Sequence, residues 1–278
     1  SDAALTPALY SVHEEWAREA HRLGWSTVKV AEEAIIDLGD LAFKGKKFQD
    51  VRTAFNHAKR EGIRAEWASY PSLSPQLKQQ VDAICQAWAD EKALPEMGFT
   101  LGGLREINDS DTRLLLALDE EDRIHAVTSW MPVHSGGEVI GLTLDVMRRD
   151  DSGFRLAIDF LIGQAALLAQ DEGLQFISLS GAPLAESGQC EESAELADSR
   201  FAFAPVLDVM GSVMEPVYGF RSLLAYKKKF QVRFVPLYLA IPDIANAPAV
   251  GLAIAHAYLP NMSAVSAVGV AAKLVSRD

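Results

Sequence analysis

The chain has 278 residues, 49% of them hydrophobic and 23% charged, enough to bury one large core or two ordinary ones. Its 38 acidic and 26 basic residues give a net charge of −12, which excludes a general electrostatic attraction to nucleic acid or anionic lipid and makes any such contact local. The two cysteines, Cys85 and Cys190, stand far apart and match no metal-ligand spacing, so neither a disulfide nor a metal framework is expected.

Residues 6–23 read as a helix, with Leu9, Val12, Trp16, Ala20 and Leu23 on one side. Two strands are expected at 26–30 and 33–38. An amphipathic helix follows at 46–61, with Phe48, Val51, Phe55 and Ala58 on one stripe, Arg52, Lys59 and Arg60 pointing elsewhere, and Gly62 as its stop. A strand at 64–69 comes next. Beyond Pro71 and Pro75 a helix is expected at 76–91, and 94–103 is irregular, with Gly98, Gly102 and Gly103 permitting close backbone approach. Asn108-Asp-Ser-Asp111 marks a boundary between two halves. The second half begins with strands at 113–118, 124–132 and 138–147, then a helix at 154–169 and a strand at 176–180, an element order shared with the first half. Residues 185–203 read as a mobile loop, 205–215 and 220–229 as helices, and 233–241 as a strand put at a sheet edge by Pro236. Residues 244–272 contain no Asp, Glu, Lys or Arg; Pro248, His256 and Pro260 favour two short packed or interfacial helices over a membrane span.

The polar junction after the 138–147 strand concentrates the chemistry. Asp145, Arg148 and Arg149 fall where the strand ends, and Asp150-Asp-Ser-Gly153 turns the chain into a helix whose apolar run encloses an isolated Asp159. An acid and two guanidinium groups there can face one polar ligand together; equally, an Asp–Arg ion pair can simply hold the turn. Basic residues cluster at Lys44, Lys46, Lys47, Arg52, Lys59, Arg60 and Arg64, and again at Arg221, Lys227, Lys228, Lys229 and Arg233, as solvated faces or as binding surfaces. The six histidines show no ligand spacing.

The pattern D-x-M-R at Asp145 to Arg148, followed by Ile158-Asp-Phe-Leu161, resembles the C-terminal cytosolic domain of the bacterial phosphatidylglycerol lysyltransferase family. Gly45-Lys-Lys-Phe-Gln-Asp-Val-Arg52, Leu94-Pro-Glu-Met-Gly-Phe-Thr-Leu-Gly102, Tyr218-Gly-Phe-Arg-Ser-Leu-Leu-Ala-Tyr-Lys227-Lys-Lys229-Phe and Pro236-Leu-Tyr-Leu-Ala-Ile-Pro242 keep the family's order over 24–242. The resemblance implies an α+β fold of tandem GNAT-like domains, here lobes at 1–108 and 109–243 with a helical tail at 244–278. It also implies aminoacyl-tRNA as donor, an anionic phospholipid (phosphatidylglycerol or a relative) as acceptor, and transfer of a lysyl or alanyl group. A native polypeptide continuing N-terminally into membrane helices, and a place at the cytoplasmic face of the bacterial membrane, follow from the same resemblance.

On the matching positions, Asp145 is expected to engage the aminoacyl α-amino group or to act as base, and Arg148 to hold a phosphate or the ester oxygen. Arg149 joins them. Lys227 and Lys229 match the family's F-K-x-K-F, with Tyr226 in place of the first Phe, and are expected to bind phosphate. Glu215 precedes Tyr218-Gly-Phe220, where Gly219 replaces the usual Asn, and is expected to read a cationic side chain. Glu96 is placed at a cleft between the halves, and Arg52 with Lys47 on a polyanion-binding face. Transfer from a ready-made ester needs placement, a proton acceptor and oxyanion stabilisation, so no cofactor and no metal are expected. The R/Q-x-x-G-x-G/A turn of coenzyme A-dependent acetyltransferases precedes neither central helix, and Asp150 and Asp151 would repel a pyrophosphate. Two other readings stay open: an acyltransferase of the same fold acting on a soluble amine, and a non-catalytic tRNA- or lipid-binding module.

Overall fold

The computed structural model describes residues 5–91, 99, 102–183, 187–190, 194–197, 203 and 220–258. In chain order the elements are β1 (Leu9–Val12), α1 (Glu14–Arg22), β2 (Ser26–Asp37), α2 (Gln49–Arg60), β3 (Arg64–Ala68), α3 (Pro75–Glu91), α4 (Leu104–Ile107), β4 (Arg113–Leu118), β5 (Ile124–Ser135), β6 (Glu138–Arg149), α5 (Ala157–Asp171), β7 (Phe176–Pro183), α6 (Ala194–Ala197), α7 (Phe220–Lys228), β8 (Arg233–Ile241) and α8 (Ala247–Tyr258). Two compact units interleave along the sequence. One takes the described residues of Ser1–Glu33, Gly181–Leu224 and Phe234–Asp278, the other those of Ala34–Ser180 and Ala225–Arg233. The boundary expected near residue 108 falls inside the larger unit, and α8 belongs to the smaller one.

In the larger unit the strands lie in the order β7-β6-β5-β4-β3. Neighbours from β3 to β6 are antiparallel, whereas β7 joins β6 in parallel after a crossover through α5. The sequence of β4 explains why helices cover both faces: Leu114 to Leu118 are all buried, with no polar side to turn to water. Leu114, Leu116 and Leu118 meet Val81, Ile84 and Cys85 of α3, and α5 packs on β4, β5 and β6. Burial on nearly every side of α5 follows, because α2 covers it in turn. Phe55 of α2 sits edge-to-face with Phe160 of α5, ring centroids 6.1 Å apart, and a Cβ at Gly163 would come within 2.7 Å of the Phe55 ring. That glycine sets the spacing of the two helices.

In the smaller unit the order is β1-β8-β2. Here the sequence expectations need correction. Residues 6–23 do not form one helix: Leu9–Val12 is a strand paired to β8 through Leu9↔Ala240 and Val12↔Tyr238, and α1 starts only at Glu14. Leu, Tyr and Val at 9–12 suit a strand as well as a helix, and pairing to β8 decides between them. The apolar stripe is misplaced as well, since Trp16 and Leu23 are exposed while Ala17 and Ala20 are buried. Residues 26–37 are one continuous strand rather than two. β8 is flanked on both sides, by β1 and β2, and is not at an edge. Pro236 lies beyond the pairing of β8 with β1, which ends at Val12↔Tyr238. Within the expected loop at 185–203, α6 turns Leu196 onto Ala17 and Tyr238. The helix expected at 205–215 lies outside the described residues. No helix among the described residues is long and apolar enough to cross a membrane.

Gly163→Ala is expected to destabilise the fold by about 1–3 kcal/mol through overpacking against Phe55 and Val51. Urea denaturation reads the change; a midpoint equal to wild type would show that the α2–α5 spacing is not fixed at this residue.

Candidate functional site

The register of β6 breaks where the sequence puts its acid. Thr128 pairs with Met147 and Trp130 with Leu144, so Ser129 alone faces both Asp145 and Val146. Two residues opposite one make a β-bulge, which bends the strand and re-aims a side chain. Ser129 Oγ accepts the Val146 amide at 2.9 Å, and Val146 turns into the core under α3. Pairing of β6 with β7 runs from Gly141↔Phe176 to Thr143↔Ser178. Two residues later Ser180 adopts φ 64°. Its hydroxyl donates to the carbonyl of Leu144, the residue before Asp145, and its own carbonyl accepts from Lys227 Nζ at 2.9 Å. Lys227 is 3% exposed. A short hydrogen-bonded path through Ser180 and Leu144 therefore links Lys227 to the bulge that carries Asp145.

The Asp145 carboxyl is roofed by the backbone of Gly102. A Cβ at that glycine would fall 1.6 Å from Oδ2 and 2.3 Å from the carboxyl carbon, so any side chain there would displace the carboxyl. Oδ2 is buried and has no hydrogen-bond partner among the described residues. Burial pushes the carboxyl up to about 6 against a hydrogen bond from the Gly102 backbone; Glu106 adds to the rise and Arg148 opposes it. A carboxyl that titrates close to neutral pH with an unpartnered oxygen is suited to exchanging a proton with a ligand.

Arg148 lies on the same side of this arrangement but is turned to the protein. It is 5% exposed, donates to the carbonyls of Cys85 and Gly102 at 3.3 Å each, and its guanidinium carbon sits 4.1 Å from the centre of the Trp88 ring. The group expected to hold a substrate phosphate instead ties Gly102 to α3. Lys229, the second lysine of the motif, pairs with Asp159 Oδ2 at 3.2 Å and lies 4.6 Å from the Tyr226 ring centre. Burial and the Asp159 carboxylate push the Tyr226 hydroxyl pKa up. Arg149 is exposed, donating to the Arg155 carbonyl and pairing with Asp151 at 3.1 Å. Arg52 donates to the Gly45 carbonyl. Glu96, Tyr218 and Glu215 lie outside the described residues. Sequence reasoning misses Trp88, Glu106 and Ser180; nothing local marks them, since each acts through a partner distant in sequence.

The turn from β6 into α5 is closed by side chains. The Phe154 amide donates to His125 Nδ1 at 2.9 Å, and His125 Nε2 lies 3.0 Å from Asp119 Oδ2. Arg123 donates to Asp150 Oδ2 at 2.6 Å and to Ser152 Oγ at 2.9 Å. Among the described residues no group of three or more His, Cys, Asp or Glu could hold a metal ion.

With this geometry in place, comparison with known proteins adds the relationship. A 252-residue match at 44% identity to an uncharacterised protein of Corynebacterium glutamicum covers 91% of this chain and 31% of that protein. The lysylphosphatidylglycerol biosynthesis bifunctional protein LysX of Nocardia farcinica is 27% identical over 262 residues, covering 92% of this chain and 22% of the relative. The chain thus spans a third or less of these two relatives. The structure of L-PGS from Bacillus licheniformis superposes with a TM-score of 0.72 at 23% identity, over 90% of this chain and 72% of that one, and shares its α+β fold. Residues 1–241 match the model of the family described as phosphatidylglycerol lysyltransferase, C-terminal, and the chain belongs to that family.

Proposed function

We propose that the chain transfers an amino acid, lysyl or alanyl, from aminoacyl-tRNA to a hydroxyl of phosphatidylglycerol or a related lipid, at the cytoplasmic face of the bacterial membrane. Family membership supports the lipid acceptor and the class of acyl group. The reading as two like halves rests on element order alone: long strand, helix and strand occur twice, as β2-α2-β3 and β6-α5-β7, with β6 and β7 paired neighbours and β2 and β3 not.

The observation that carries the reading is the Asp145 carboxyl, on a bulge under Gly102, with one buried oxygen that has no partner among the described residues. In the proposed reaction the lipid hydroxyl oxygen attacks the ester carbonyl carbon while its proton passes to Asp145. The tetrahedral oxyanion then collapses, the bond from that carbon to the ribose oxygen breaks, and the proton held by Asp145 passes to the departing ribose hydroxyl. No net charge or electron change remains, so positioning and proton transfer suffice. Lys227 supplies positive charge on the path that ends at Asp145 and fixes Ser180. Arg148 acts as a positioning residue, through Gly102. Arg149, at the exposed end of β6 and paired with Asp151, is assigned the substrate-binding role that the family resemblance gives it. Lys229, paired with Asp159, keeps the phosphate-binding role that the family resemblance gives it. Glu96, Glu215 and Tyr218 keep the substrate-binding roles that the family resemblance gives them.

Incubation with labelled aminoacyl-tRNA and phosphatidylglycerol vesicles is expected to yield labelled lipid. Asp145→Asn should lower turnover by about 10²–10⁴-fold, the usual worth of a general base. Wild-type kcat/KM should climb as pH rises through about 6, where the carboxyl loses its proton. Binding of aminoacyl-tRNA and lipid without any product would favour a non-catalytic module instead.

The same substitution has a stability signature. Folded Asp145 keeps its proton up to about pH 6, against an ordinary 3.8, so the cost of burying its charge is absent below 3.8 and complete above 6. Asp145→Asn should therefore stabilise the fold at pH 7.5, by on the order of 1–3 kcal/mol, and the gain should shrink towards pH 4. Destabilisation at pH 7.5 in denaturant titrations would identify Asp145 as one half of a structural ion pair with Arg148.

A further inference from the structure

Most exposed arginines of this chain have acidic partners: Arg18 has Glu14, Arg64 has Asp122, Arg113 has Glu172 and Arg233 has Asp37. Around α2 the pattern reverses. Lys44, Lys46, Lys47, Lys59 and Arg60 are all exposed, and none has an ion pair among the described residues. Arg52 donates to the Gly45 carbonyl and so holds the turn bearing the first three lysines against the helix. At about 100° per residue, α2 buries Val51, Ala54 and Ala58 and carries Arg52, Lys59 and Arg60 within an arc of about 100° on the outside, while Asp50 and Glu61 fall on the far flank. The cations continue off the N-terminal end of a helix about 18 Å long.

We infer that this stripe is the docking surface for the sugar–phosphate backbone of a base-paired RNA, the helical arm of the donor; the inference rests on the aminoacyl-tRNA reading above. A chain of net charge −12 repels a polyanion over most of its surface, so a local cationic stripe fixes both the place and the orientation of approach. Phosphate contact is the chemistry on offer. From residue 40 to residue 62 no large hydrophobic side chain is exposed: Phe43 and Phe48 are buried, and Phe55 is packed between Phe43 and Phe160. The surface has no aromatic face on which unpaired bases could stack and no apolar anchor to enter a lipid interface.

The test replaces Lys46, Lys47, Lys59 and Arg60 together by Gln and measures binding of an RNA hairpin, with vesicles containing phosphatidylglycerol as a parallel probe. The variant should bind the hairpin at least about tenfold more weakly, its slope of log affinity against log salt should flatten by about 0.7–0.9 for each phosphate that is no longer neutralised, and vesicle binding should not change. KM for aminoacyl-tRNA should rise while kcat holds. Equal hairpin affinity in variant and wild type overturns the inference, as does competition by unpaired RNA at equal strength, or loss of vesicle binding in place of hairpin binding. Wild-type transfer with no effect of the four substitutions removes this surface and leaves the reaction standing. Hairpin binding through these cations without any transfer from aminoacyl-tRNA keeps the surface and removes the reaction.

Discussion

The backbone of Gly102 laid on the carboxyl of Asp145 is the interaction on which the described site depends. A side chain at 102 would push the carboxyl out of place, and each supporting feature has a distinct part in maintaining the contact. The bulge opposite Ser129 aims Asp145 out of the regular ladder. Arg148 reaches the Gly102 carbonyl while bracing itself on the Cys85 carbonyl and the Trp88 ring, so α3 is part of the site without offering it a reactive group. Burial raises the free energy of the ionised acid, and the core packed beneath it by Val146, Leu114 and Val81 supplies the stability that tolerates this.

Much of this was legible in the chain. The three consecutive strands that lead up to and carry Asp145, the helix after Gly153 and the amphipathic α2 follow from periodicity and breakers, because there local preference and burial agree, although β6 runs on to Arg149 rather than ending at 147. Asp145 stood out as an acid at a strand end, and Gly102 as a place for close backbone approach. What the sequence could not disclose was register. A bulge is a property of two strands at once, and neither Ser129 nor Val146 advertises it. The same limit explains β1: Leu9 to Val12 fit two conformations, and the choice depends on β8, more than two hundred residues away. Arg148 shows a third limit, since a motif position says that a residue matters but not which way its donors point.

The cations of the larger unit divide by partner. Arg148 and Lys227 are buried and each donates to backbone carbonyls around the bulge. Arg64, Arg113, Arg123 and Arg149 are neutralised by neighbouring carboxylates. The lysines flanking α2 have neither kind of partner among the described residues. A strongly acidic protein can thus keep one region of opposite sign without altering its total, since salt limits the reach of each charge to roughly 8–10 Å.

His125 has a consequence of its own. With Nδ1 accepting from the Phe154 amide, the ring hydrogen sits on Nε2 and faces Asp119, so a single imidazole braces β5, the turn at 119 and the entrance to α5. The turn into α5 is therefore held by a neutral imidazole, and the acids at 150 and 151 beside it are held in turn by Arg123 and Arg149.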